Sequence, residues 1–405
     1  MRARVAALFL CLCAAWYFEA AIRRQLPALA APGDFVHYYR AGQAILHGAT
    51  PFGDPEYLYP PLIAIAAAPL AFTDLVTARW IWFVASQGCL LAAAFLVWRY
   101  AGRNWMAACC VATVWAFGGA AEESLALGQV GPLMVLLLAI AITQSDGRQG
   151  AAAGIGFCLK YIPGVLLPGL LLARNWRALA AFAWTIAGLL IVPWAVLAFG
   201  FQGSKTPVSG NYWMGTPALL SWSIPSTVLR ILDPPHSGTL PFNWEFGNVA
   251  GNLQLHAGMR MLSLSAAGFT LAAGTLVLFV VCRRRLTNSQ LPIALAGLLS
   301  LGLAAAPVCW THYQVLQYPG LGLLLTDSFG RRRWSMMSGA VVSAAMLYAV
   351  PVAVLRSYYR ALGGWGGVPP AVLYFWTTAS PVACLAIFGL CMWSLRERIT
   401  AVSVT

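Results

Sequence analysis

The sequence predicts an all-α integral membrane protein, a polytopic bundle of about ten spans plus two re-entrant or broken segments. Three observations predict it. Of the 405 residues, 60% are hydrophobic and 9% charged; the mean hydropathy is +0.73; and apolar runs near the spanning length of ~20 residues recur along the chain. A composition this apolar cannot combine an ordinary core with a polar surface, so the solvent is lipid.

Full spans are expected near Val5–Ile22, Thr77–Trp98, Trp105–Ala120, Leu125–Thr143, Arg177–Phe199, Met259–Cys282, Gln290–Ala306, Tyr313–Thr326, Trp334–Leu355 and Ala371–Leu395. Arg2 and Arg4 place the N-terminus inside. The first run reads as a retained anchor, because Tyr17 and Glu19 stand where a signal peptide would carry a small-residue cleavage site.

Leu62–Phe72 and Ala151–Ala173 are the two irregular segments. If the first dips in and returns, and the second folds back around Lys160-Tyr161-Ile162-Pro163, the basic clusters fall on one side. Those clusters are Arg99/Arg103, Arg148, Arg174/Arg177, Arg283–Arg285, Arg331–Arg333 and Arg396/Arg398. Both termini are then cytoplasmic.

The net charge of +13 is accounted for by membrane orientation and anionic lipid, and no nucleic-acid partner is expected. Basic residues here cap apolar helices and do not interleave with exposed aromatics as in a single-strand groove. All ten cysteines lie within or at the ends of apolar segments without metal-ligand spacing. Neither a disulfide framework nor a metal site is expected, and no cofactor.

The chain reads as one domain, 1–405, whose outer loops are 23–59, 200–258 and 356–370. These loops are rich in Trp, Tyr, Pro, Gly and Asn, a composition suited to presenting hydrogen bonds and stacking faces at the interface. No internal repeat is visible, which argues against a transporter built from two related halves.

The densest motif is Asp34-Phe35, Tyr38-Tyr39, Ala41-Gly42, Gly48 and Pro51, followed by Tyr59-Pro60-Pro61-Leu62 and Pro69-Leu70. Further on stand Gly128-Gln129 opening a span, Lys160 with Pro163, and Pro307-Val308-Cys309-Trp310-Thr311-His312. Together they resemble glycosyltransferase family 87, integral-membrane mannosyltransferases acting on phosphatidylinositol mannosides and related arabinofuranosyltransferases. The resemblance implies a GT-C fold and a sugar taken from a polyprenyl phosphate outside the cytoplasmic (inner) membrane, with a lipid or glycan as acceptor. The chain departs from the family pattern at Val130-Gly131 and across Gly215–Ser226.

Such a transfer requires a base for the acceptor hydroxyl and cations for the leaving phosphate. Asp34 is the candidate base; it also fits a helix N-cap, since a helix-like run from Phe35 ends at Gly48. Glu56 beside Asp54, and Glu122 with Glu123, are the competing acids and candidate acceptor contacts. Lys160 is the candidate phosphate ligand: a lysine inside an apolar segment costs about 2.5–3.5 kcal/mol to insert, although snorkelling from a re-entrant tip also explains it.

His312 is placed to bond the phosphate or assist the acid–base step. His37 and Tyr38, one turn beyond Asp34, are expected to orient a sugar, and Tyr59 and Gln129 join the substrate-binding set through the resemblance. Arg40, His236, His256 and Arg260 are outer-side alternatives for the phosphate. No Gly-rich phosphate loop opens a strand–helix unit, so the donor is expected to be lipid-linked. The competing reading is a lipid-linked-sugar flippase or transporter, which would place paired charges deep in opposed bundles.

Overall fold

The computed structural model describes residues 2–31, 33–54, 57, 59–200, 221–232, 257–282, 286–348, 361 and 370–402. Among them the fold is helical, and the β-type pairing is one isolated antiparallel bridge between Ser221 and Trp310. In chain order the first eight α-helices are α1 (Arg2–Tyr17), α2 (Phe35–Leu46), α3 (Pro61–Ala67), α4 (Leu75–Tyr100), α5 (Trp105–Phe117), α6 (Gly119–Leu127), α7 (Gly131–Thr143) and α8 (Asp146–Leu159). They are followed by α9 (Leu167–Leu172), α10 (Trp176–Ile186), α11 (Val192–Gly200), α12 (Ile224–Leu232), α13 (Ala257–Cys282), α14 (Leu291–Ala305), α15 (Tyr318–Gly330), α16 (Trp334–Tyr348) and α17 (Pro370–Val402).

Local chemistry sets several of these starts. Asp74 accepts from the N–H groups of Val76 and Thr77, both at 3.0 Å, and caps α4. Asn104 caps α5 through Ala107 (2.8 Å) and Asn175 caps α10 through Ala178 (3.2 Å). Proline in the first turn opens α7 and α14, where its missing N–H leaves no helical bond unmade.

Among the described residues, five helical stretches are long and apolar enough to cross a membrane: Ala3–Ala30, Leu75–Tyr100, Trp176–Val196, Met261–Cys282 and Tyr374–Thr400. The pair α5 and α6, bent by 52°, adds a sixth if counted as one broken span. Val84, Trp184 and Phe269 are largely exposed on such helices, which is stable only with lipid on that face. The protein is a multi-pass membrane protein. In contrast, α14 is apolar all round and every one of its residues is buried, so it forms the centre of the bundle.

The boundaries differ from the sequence reading in several places: Trp105–Ala120 is broken at Gly118 between α5 and α6, and Gln290–Ala306 holds only the short helix α14. The expected span Leu125–Thr143 is interrupted at Gly128-Gln129, and its first residues end α6. Tyr313–Thr326 opens as a 3-10 helix, Thr311–Gln317, before α15. Leu62–Phe72 does not reverse within itself; it is a single short helical stretch, Pro61–Phe72. It runs antiparallel to α2, since the Tyr39 hydroxyl donates to the Thr73 carbonyl (2.6 Å) while Gly42 packs on Ala67 and Ala68.

Ala151–Ala173 does fold back. Gly150 and Gly154 pack against Ala178 and Thr185 in the same direction, so α8 and α10 are parallel and the chain between them must return. Asn175 donates to Gln149 at 2.9 Å, and Gly156 faces Pro163. The tip of this hairpin is Lys160, whose φ of −151° and ψ of 127° end α8.

The hairpin fixes which residues share an end of the bundle. Tyr100, Ser289, Asp327, Arg331 and Arg398 line one pocket, and the Leu286 N–H reaches the Leu172 carbonyl (3.4 Å) near Arg174. Asp327 there pairs with Arg331 (2.8 Å) and Arg398 (2.7 Å). The described arginine clusters therefore gather at one end, and Lys160, Gln129 and the start of α4 lie towards the other. Glu56, His236, His256, Arg283–Arg285, most of 200–258 and 356–369, and the side chain of Arg260 lie outside the described residues.

Candidate active site

Two glycines bring the site together. Helix α6 ends in a Schellman turn: the Gln129 N–H bonds the Ser124 carbonyl (2.9 Å), the Gly128 N–H bonds that of Leu125 (3.1 Å), and Gly128 is left-handed at φ +71°. A Cβ on Gly128 would meet Arg79 Nη1 at 2.5 Å and Phe35 Cβ at 2.8 Å. Gly33, at φ +50°, touches the same turn, and a Cβ there would meet the Leu127 carbonyl oxygen at 2.7 Å. Residues without a Cβ at both positions let the start of α2 dock on the end of α6, which sets Asp34 against Gln129.

Gln129 is 2% exposed and its amide is the hub of the site. Its Nε2 donates to Asp34 Oδ2. Its Oε1 accepts from the Tyr38 hydroxyl (3.0 Å), the Tyr59 hydroxyl (3.2 Å) and Lys160 Nζ (3.2 Å). Tyr38 and Tyr59 meet edge to face at 4.8 Å between ring centroids. Asp34 occupies the N-cap position of α2, yet its side chain makes no capping hydrogen bond; the carboxylate is turned to Gln129 instead.

Lys160 comes in from the hairpin tip. Its ammonium lies over the Tyr313 ring at 3.8 Å and the Tyr59 ring at 5.4 Å from the centroids, contacts that hold a desolvated cation. His312 stacks edge to face on Tyr313 at 4.8 Å, is buried, and has Nε2 without a hydrogen-bond partner. It feels the charge of Lys160. The motif that carries it is fixed from outside: the Trp222 N–H bonds the Cys309 carbonyl (2.6 Å), and the Cys309 N–H bonds Ser221 Oγ (3.1 Å).

Of the expected site residues, Asp34, Tyr38, Tyr59, Gln129 and Lys160 form one connected cluster, with His312 joined through Tyr313. His37 is not in it; its Nδ1 pairs with Asp54 Oδ2 at 2.8 Å, with Arg40 3.9 Å from the same oxygen. Glu123 accepts from the Thr311 hydroxyl, beside His312. Glu122 is half-buried and faces the charge of Arg24.

The sequence reading passed over Arg79. It is 1% exposed, and its Nη2 donates to the carbonyls of Leu125 (2.8 Å) and Ala126 (2.6 Å), closing the last turn of α6. It also lies within electrostatic reach of Asp34. The signal was available, since an arginine inside an apolar span marks a site by default. Tyr313 was missed too, because only proximity in space joins it to Lys160.

Chemically, the cluster offers a carboxylate, a buried lysine and a buried imidazole packed against the same tyrosine ring, and further tyrosine rings and hydroxyls. That set can remove a proton from a hydroxyl and neutralise charge developing on a phosphate oxygen.

The mannosyltransferase named as polyprenol-phosphate-mannose-dependent alpha-(1-2)-phosphatidylinositol mannoside mannosyltransferase of Mycolicibacterium smegmatis is 25% identical over 331 residues, 75% of this chain and 70% of that protein. An alpha-(1->3)-arabinofuranosyltransferase of Mycobacterium tuberculosis is 29% identical over 152 residues, 35% of each chain. The crystal structure of ArnT from Cupriavidus metallidurans in the apo state superposes with a TM-score of 0.41 at 14% identity, over 96% of this chain and 78% of that one. The profile of glycosyltransferase family 87 matches residues 57–309, which take in Tyr59, Gln129 and Lys160; the chain belongs to glycosyltransferase family 87.

Proposed function

We propose that this enzyme transfers a sugar, mannose or a related hexose or pentose, from a polyprenyl phosphate donor to a lipid or glycan acceptor. The reaction takes place at the extracytoplasmic face of the inner membrane, within a single GT-C domain whose termini are both cytoplasmic. Asp34 takes the proton of the acceptor hydroxyl, whose oxygen attacks the anomeric carbon. The bond from that carbon to the phosphate oxygen breaks, and polyprenyl phosphate leaves with the electron pair. Lys160, with His312, neutralises the leaving phosphate. Tyr38 and Tyr59 line the sugar position, while Glu122 and Glu123 face the acceptor. His37, held by Asp54, contacts substrate from the rim.

The observation that carries this reading is the joining of Asp34 and Lys160 through one buried amide, at the bundle end remote from the arginine clusters. Donor class is supported by the polyprenol-phosphate-mannose dependence in the names of the relatives. The test is to incubate purified protein with polyprenyl phosphate mannose, the corresponding pentose donor and a nucleotide sugar, each with phosphatidylinositol mannoside as acceptor. Transfer from a polyprenyl donor is expected. Turnover of the nucleotide sugar alone overturns the donor assignment, and translocation of the donor without transfer makes the protein a flippase.

A further inference from the structure

We propose that Gln129 is a positioning residue, whose amide fixes the Asp34 carboxylate and couples it to Lys160, and that it does not hold substrate. The inference rests on Asp34 being the base.

Only one orientation of the amide satisfies its neighbours. The oxygen faces three donors, the Tyr38 and Tyr59 hydroxyls and Lys160 Nζ, and the nitrogen faces a carboxylate. Turned over, the NH₂ group would meet an ammonium, which has no acceptor, and the amide oxygen would meet an anion. The backbone cannot drift either, because the Gln129 N–H is held in the Schellman turn that Arg79 closes. With 2% of its surface exposed, Gln129 has almost no face left for a ligand. What it does reach is one oxygen of Asp34, and a hydrogen bond there sets the plane of the carboxylate and the direction of its remaining lone pairs.

The experiment compares full-length wild type with Gln129→Glu, Gln129→Met and Asp34→Asn, following transfer from a polyprenyl phosphate sugar as a function of pH and of each substrate concentration. Gln129→Glu keeps the shape and places a second carboxyl against Asp34. Arg79 from α4, Lys160 from the hairpin and Tyr38 from α2, which interact electrostatically with Asp34, stay in place, as does Tyr59 on the same amide oxygen. The acid limb of kcat/KM is expected to move up by about one pH unit or more, since like charges oppose ionisation. Gln129→Met removes donor and acceptor alike and is expected to lower kcat by about 10²-fold with the KM values nearly unchanged, the signature of misplacement.

A raised KM with kcat retained in Gln129→Met makes Gln129 a substrate ligand and overturns the inference. An unshifted acid limb in Gln129→Glu, alongside an inactive Asp34→Asn, overturns it as well while leaving the base assignment standing. Near-normal transfer by Asp34→Asn is the distinct outcome that removes the base assignment itself. Either Gln129 variant alone decides, so a folding failure in one leaves the other to report.

Discussion

Asp34 and Gln129, 95 residues apart in sequence, are joined by a side-chain hydrogen bond in which the amide donates to the carboxylate. The bond answers a question that the sequence leaves open. An aspartate preceding a helix is ordinarily read as a cap, and here it sits at the cap position but makes no capping bond. Its carboxylate is committed to the interior of the site.

Asp34→Asn tests that commitment. Removing the basicity while keeping the shape is expected to reduce transfer by about 10²–10⁴-fold, the usual worth of general-base catalysis, with thermal unfolding nearly unchanged. Near-normal transfer in a folded sample would hand the base role to Glu123, Glu122 or Glu56.

Lys160 should show itself in the donor. Lys160→Met removes a charge-assisted contact worth about 1.5–3 kcal/mol, so the KM for the polyprenyl phosphate sugar is expected to rise by about 10–100-fold while the acceptor KM changes little. Unchanged donor kinetics would reduce Lys160 to a structural cation held by Tyr313 and Tyr59.

Gly128→Ala is expected to cost more than about 1 kcal/mol of stability, because alanine must adopt a positive φ and its Cβ must displace the Arg79 guanidinium. Arg79→Met should be destabilising for the complementary reason, since the Ala126 carbonyl loses the guanidinium donor while the Leu125 carbonyl keeps only the Gly128 N–H, at about 1–3 kcal/mol. Both changes should lower activity with stability. Thermal unfolding in detergent measures them, and a silent Arg79→Met would detach the α6 turn from the site.

Topology is tested by reporter fusions. Fusions within 200–258 are expected to read as extracytoplasmic, and fusions after Arg285 or Arg333 as cytoplasmic. The opposite pattern would invert the bundle and put the site on the cytoplasmic face.

Much of this was legible in the sequence because lipid imposes blunt rules. Hydropathy located helices wherever the chain had to satisfy its backbone within an apolar solvent. Charge bias then required Ala151–Ala173 to turn back, and the hairpin at Lys160 follows that demand. The cost of burying a lysine singled out Lys160, and the density of the first motif singled out Asp34, Tyr38 and Tyr59. What hydropathy could not resolve was any break shorter than its window. The turn at Gly128-Gln129 divides an apolar run that reads as continuous, and Pro61–Phe72 is one limb of a helical pair with α2, a fact that lies in the packing of Gly42 and not in composition.

The sequence by itself determined the solvent, the helical class, the family and most of the polar residues of the site, since each follows from residue type or from short-range pattern. Only the tertiary structure decided how those residues are paired. It turned Asp34 from its cap to Gln129, drew His37 away to Asp54, tied Glu123 to Thr311 beside His312, and brought Arg79 and Tyr313 into a site where no motif had placed them. The physical reason is that hydrogen-bond partners and buried charges are chosen by distance in space, and that distance is set here by two glycine contacts and one hairpin that join segments about a hundred residues apart.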